Sequence, residues 1–146
     1  PRFVNGWNGV GISQQMIDAY FMDNGKKISE QGSGYSETGF SGSAGKYTKA
    51  GTFNMYVNRE PRFYASVIYN GADWIYKEDG QPVHTVELFF TGNCGKQASH
   101  DHSATGYLCC KNVSPNSNLV EWTGALRSLV MMRLAEIYLN YAEALN

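Results

Sequence analysis

The clearest periodicity lies at the end of the chain. Leu126, Leu129, Val130, Leu134, Ile137, Tyr138, Tyr141, Ala142 and Leu145 recur at intervals of three and four, which predicts an amphipathic helix over 126–146. Glu136 and Glu143, seven positions apart, share a side of it. No glycine closes the pattern, and Ala135, Ala142 and Ala144 are small enough to admit another helix at close range. A second, shorter helix is predicted after Ser13, an N-cap residue, where Met16, Ile17, Tyr20 and Phe21 fall on one face. The run Asp23 to Lys27 then turns the chain.

Strand patterns are shorter. Phe63, Ala65, Val67 and Tyr69 alternate with Tyr64, Ser66 and Ile68, which predicts a strand apolar on both faces, although so short a segment also admits a helix. Asn70-Gly71 and the stretch Glu78 to Pro82 punctuate it. His84 to Phe90 and Tyr107 to Val113 read as two further short strands. Residues 1–12 and 29–52 have no period; the second is a long Ser/Gly-rich surface loop, in which Tyr35, Phe40 and Tyr47 read as anchors rather than ligand contacts.

Composition sharpens this picture at two points. The 146 residues carry a formal net charge of -1, which argues against the clustered positive field of a nucleic-acid interface. No apolar run approaches membrane-spanning length. Aromatic residues make up 14% of a chain that also holds 16 glycines, a pattern of irregular loops carrying flat side chains, either as a binding surface or as an aromatic core. The three cysteines, Cys94, Cys109 and Cys110, have no metal-site spacing, and the adjacent pair suits packing better than disulfide formation.

Candidate chemistry is sparse. His100-Asp101-His102 lies in a polar loop without a third ligand at a diagnostic spacing. Carboxylate pairs such as Glu60 with Asp73 or Asp79 with Glu87 have no support beyond composition, and Arg59-Glu60-Pro61 reads as a structural ion pair or cap. No nucleophile elbow or phosphate-binding loop is present. These readings point to no cofactor, no metal and no catalysis. Two tryptophans in turn-rich segments remain, Trp7 in "NGWNG" and Trp74 in "NGADW". Indole faces pack on the C–H faces of sugars and amides bond their hydroxyls, so Trp7, Asn8 and Trp74 are the candidate ligand contacts; each indole alternatively plugs a core edge. Trp122 reads as packing.

Four motifs in order, "MIDAYFMDNGKKI", "NREPRFYASVIYNGADW", "TGYLCCK" and "RLAEIYLNYAEALN", resemble the SusD/RagB family of outer-membrane glycan-binding lipoproteins of Bacteroidetes, from about Ser13 onward. Glu60-Pro61 departs from the Asp-Pro more usual in the family. The resemblance implies a mainly α fold on a tetratricopeptide-type helical scaffold, with irregular loops and short strands. This chain would be an α+β piece of it, central to C-terminal, with residues 1–125 loop-rich and 126–146 the first helix of a pair. It also implies non-catalytic capture of oligosaccharides at the cell surface for a TonB-dependent SusC-type transporter. The membrane attachment would be an N-terminal lipid anchor outside this chain. Peptide or other nutrient binding, as in RagB-type relatives, and a purely structural role are the alternatives. The same resemblance implies that Arg62, Tyr64, Arg133 and Glu136 hold segments together rather than touch ligand.

Overall fold

The computed structural model describes residues 10–77, 80–97, 102–111, 113–118, 125 and 130–146. Within these, regular elements are few. They are helix α1 (Gln14–Asp18), a 3-10 turn (Asn54–Tyr56), helix α2 (Pro61–Ser66), strands β1 (Val67–Ile68) and β2 (Leu108–Cys109), and helix α3 (Leu134–Ala144). Tight turns and bends connect them.

Helix α1 starts where the Ser13 side chain accepts from the Met16 N–H. It is shorter than its apolar stripe suggests. Ile17 is fully buried, whereas Met16 is exposed. After it, residues 21–23 run antiparallel to residues 58–60. Met22 pairs with Arg59, Glu60 N–H donates to Phe21 O at 2.9 Å, and Asp23 N–H donates to Asn58 O at 2.8 Å. Asn58 adopts a φ of 54°, a left-handed conformation that asparagine tolerates.

The strand predicted over residues 63–69 is instead a helix followed by a strand. Pro61 opens α2 as its first residues, with φ already suited to a helix and no N–H to leave unpaired. The alternating pattern that mimics a strand arises because α2 buries only Phe63, while Arg62 and Ala65 face solvent. The chain then extends into β1, which pairs antiparallel with β2, Val67 opposite Cys109 and Ile68 opposite Leu108. Residues 71–74 pair with 84–86 through Gly71 N–H to Val86 O, Val86 N–H to Ala72 O and Trp74 N–H to His84 O. The predicted strand at His84 to Phe90 is therefore extended and paired at its start only. Beyond it the chain turns so tightly that a Cβ at Gly95 would collide with Phe89 O.

These segments meet in one aromatic core. Tyr56 stacks on Tyr69 with centroids 4.6 Å apart, Phe63 lies 5.8 Å from Tyr69, and Tyr20 and Tyr107 approach edge-on. Ile17, Val67, Ile68, Val86 and Leu108 complete it. Cys110 is buried beside this core, Cys109 is half-buried, and all three thiols are free. Of the helix predicted over 126–146, only the later part is present, as α3; residues 130–133 are described and not helical, with Arg133 extended as its N-cap, and every residue of α3 is exposed. The predicted positions 126–129 lie outside the described residues.

Candidate ligand-binding cleft

The long loop over residues 29–52 is pinned to the core by its aromatic residues, as anchors would be. Tyr35 faces the Arg59 guanidinium at 5.5 Å, and Phe40 packs edge-on against Phe53 at 5.4 Å. Tyr47 lies over Tyr64, centroids 4.9 Å apart and planes tilted by 32°. Backbone pairing between Ser41 and Thr52 closes the loop on itself.

Arg59 is the centre of this construction. Its side chain is fully buried, Nη2 donating to Ile17 O at 2.5 Å and Tyr20 O at 3.0 Å, Nη1 to Met55 O at 3.1 Å. It thus caps the carbonyls at the end of α1, where Ile17 O otherwise has only the long bond from Tyr20 N–H at 3.4 Å. Its cation lies 5.0 Å from the Phe63 ring and its backbone N–H donates to Tyr64 Oη, which in turn donates to Tyr56 O at 2.7 Å. Burial lowers the guanidinium pKa from its ordinary value. Glu60 accepts from Phe21 N–H and pairs with Arg62. The Arg-Glu-Pro motif is therefore structural, with the cap made by Arg59 and the ion pair made by Glu60 and Arg62.

Two cavities flank the Tyr47–Tyr64 pair. One, of about 250 Å³, is lined by Asp23, Lys46, Tyr47, Thr48, Asn58, Arg59, Pro61 and Tyr64. The other, of about 150 Å³, is lined by residues including Tyr47, Lys49, Tyr64, Tyr69, Asp73 and Ile75. Tyr47 is 45% exposed. Lys46 stands 5.2 Å from its ring, and Lys49 bridges Asp73 and Thr85. Thr48 is buried, and its Oγ1 has no hydrogen-bond partner among the described residues. Burial raises the Tyr64 and Tyr69 phenols above their ordinary pKa, so both are neutral hydrogen-bonding groups at physiological pH. The cleft offers flat rings, hydroxyls, an amide and charges of both signs.

Of the sequence-predicted contacts, Trp7 and Asn8 lie outside the described residues, as do His100, Asp101, Asp79 and Trp122. Trp74 is half-buried and packs against the core; Asp73 and Ile75 on either side of it line the smaller cavity and Trp74 does not. No group of three His, Cys, Asp or Glu side chains able to hold a metal ion occurs among the described residues. Sequence reasoning treated Tyr47 as an anchor, which it is, and missed that the anchored ring also walls a cleft. Its signal was weak, a single tyrosine between Lys46 and Lys49 in a patternless loop.

Comparison with known proteins gives the fold its relatives. Residues 2–146 match the model of the SusD family. The selenomethionine structure of BT4246 aligns with a TM-score of 0.67 at 26% identity, covering 92% of this chain and 24% of that one. A second BT4246 structure aligns at 0.65 and 27%, covering 94% and 24%. The SusD-like protein BF3747 from Bacteroides fragilis NCTC 9343 aligns at 0.55 and 27%, covering 94% and 25%. Among curated proteins none matches the chain. The chain spans about a quarter of the length of these solved structures, 24–25% of each. Its few helices and little strand are an α+β part of a SusD-like fold, and the chain belongs to the SusD family.

Proposed function

We propose that the protein carrying this chain binds oligosaccharides without chemically changing them. It holds them at the outer-membrane surface and delivers them to a TonB-dependent SusC-type transporter. The observation that carries this reading is the match of nearly the whole chain to the SusD family. The chemistry of the described surface supports it, because aromatic faces beside hydroxyls and an amide suit a neutral, hydroxyl-rich ligand. A near-neutral charge balance agrees with such a ligand. Attachment to the membrane through a lipid anchor is part of the same proposal. Trp7 and Asn8 in their Gly/Asn-rich stretch of sequence, and Trp74 after the Asn70-Gly71 turn, are proposed as ligand contacts.

The test is intrinsic fluorescence of the full-length protein during oligosaccharide titration. A saturable shift is expected, and it is expected to shrink in Trp7→Ala or Trp74→Ala, because a stacked indole reports its ligand and a core indole does not. A shift that persists unchanged in both variants would remove these residues from the site. Saturable binding of peptides with no response to any sugar would replace oligosaccharide by peptide as the cargo.

A further inference from the structure

We propose that residues 41–52 form a strap that lifts from the body of the molecule and opens the two cavities beside Tyr47 into one cleft. The motion is independent of which ligand the protein carries. The strap roofs both cavities. It gives Lys46, Tyr47 and Thr48 to the larger one and Tyr47 and Lys49 to the smaller, while Arg59 and Tyr64 wall the first from the body and Tyr69 and Cys110 the second. Among the described residues, every backbone hydrogen bond of the strap closes within it. Ser41 N–H donates to Thr52 O, Gly45 N–H to Thr48 O, Gly51 N–H to Ser41 O and Thr52 N–H to Lys49 O. Lifting the strap therefore breaks no ladder.

Side chains hold the strap down. Tyr47 lies over Tyr64, and Lys49 pairs with Asp73 and donates to Thr85 Oγ1 at 3.0 Å. The ion pair stands largely in water, its side chains 49% and 40% exposed, so it is weak and screened by salt. At the two ends of the strap, Gly39 and Gly51 have φ of 76° and 80°, a region glycine enters freely, and serve as pivots. One polar atom works against the closed position. Thr48 Oγ1 is buried without a hydrogen-bond partner among the described residues, and lifting the strap returns it to water, which offsets part of the packing lost. Cys110 reports the motion. Its thiol is free and buried at the wall of the smaller cavity, beneath Tyr47 and Lys49, so a maleimide reaches it when the strap is up.

The experiment follows N-ethylmaleimide labelling of Cys110 in the full-length protein by peptide mass spectrometry, in a Cys109→Ser background so that the neighbouring thiol does not interfere. The rate is compared with that of Lys49→Met and Thr48→Val on the same background. Lys49→Met keeps the aliphatic stem and removes the ion pair, and is expected to speed labelling about two- to fivefold, what one exposed pair contributes. Sodium chloride at about 1 M is expected to speed the parent similarly and to leave Lys49→Met unchanged. Thr48→Val removes the unpaired hydroxyl at nearly constant shape and is expected to slow labelling about fivefold or more, because the closed position no longer carries it. All these rates are expected to be insensitive to low urea, since lifting the strap exposes little surface compared with unfolding. The strap is overturned if the two variants leave the rate unchanged or move it in the same direction. It is equally overturned if labelling rises with urea as steeply as whole-molecule unfolding, which would mean that Cys110 is reached only when the core comes apart.

Discussion

Arg59 shows how one side chain joins segments that are far apart in the chain. Its three carbonyl acceptors belong to Ile17, Tyr20 and Met55, and its cation lies near the rings of Tyr35 and Phe63. A buried acceptor left without a donor costs about 1–3 kcal/mol. Arg59→Met fills much of the same volume and takes the guanidinium donors from all three carbonyls, leaving only Ile17 O with a backbone donor, the Tyr20 N–H. It is expected to lower the unfolding free energy by about 3–5 kcal/mol in a denaturant titration. A loss under about 1 kcal/mol would show that other donors reach those carbonyls. Arg59→Lys is expected to fall between, because a single ammonium cannot reproduce the planar fork. That Arg59-Glu60-Pro61 is structural was legible in the sequence. The partners of Arg59 were not, because a carbonyl acceptor at the end of α1 has no sequence signature and lies 42 residues away.

At the scale of elements, the fold is a meeting of short pieces through aromatic rings. The 3-10 turn supplies Tyr56, α2 supplies Phe63, the end of β1 leads into Tyr69, and the approach to β2 supplies Tyr107. Burial raises the Tyr56 and Tyr69 phenols well above the ordinary value of 10.0. Burial, reinforced by Glu37, brings Tyr35 to about 12, and burial, reinforced by Cys109, brings the Cys110 thiol from 9.0 to about 11. Each of these groups is held neutral in the folded state more strongly than in the unfolded chain. Their contribution to stability is complete below the unfolded pKa and is lost as pH rises through the folded one. Stability is therefore expected to fall from about pH 9 upward and steeply between about pH 10 and 12. Phenolate absorbance is expected to rise together with unfolding rather than ahead of it. Phenolate appearing in full near pH 10 with the fold intact would contradict the packed core. The sequence pattern announced α1 through Ser13 and α3 through its three-four repeat. It misread α2, where a helix with one buried residue leaves no helical stripe; Pro61 after Glu60 was the available start signal.

At the scale of the whole molecule, two groups of the described aromatic residues differ in what they do. Tyr56, Phe63, Tyr69 and Tyr107 are buried in the core, while Tyr47 keeps nearly half its surface at the cleft. Family membership was legible in four motifs; within them Arg59 and Tyr64 hold distant segments together, while Arg62 pairs with Glu60 two residues before it. The cleft was not legible, because it is assembled from residues 23, 46–48, 58–61 and 64, which only the antiparallel run of 21–23 against 58–60 and the pinned loop bring together. The central claim is that the protein captures oligosaccharides. The most direct test is calorimetric titration of the unmodified full-length protein against matched panels of neutral oligosaccharides and peptides. The account predicts saturable, stoichiometric binding of at least one oligosaccharide and none of the peptides. Binding of peptides alone, or of neither panel, would contradict it.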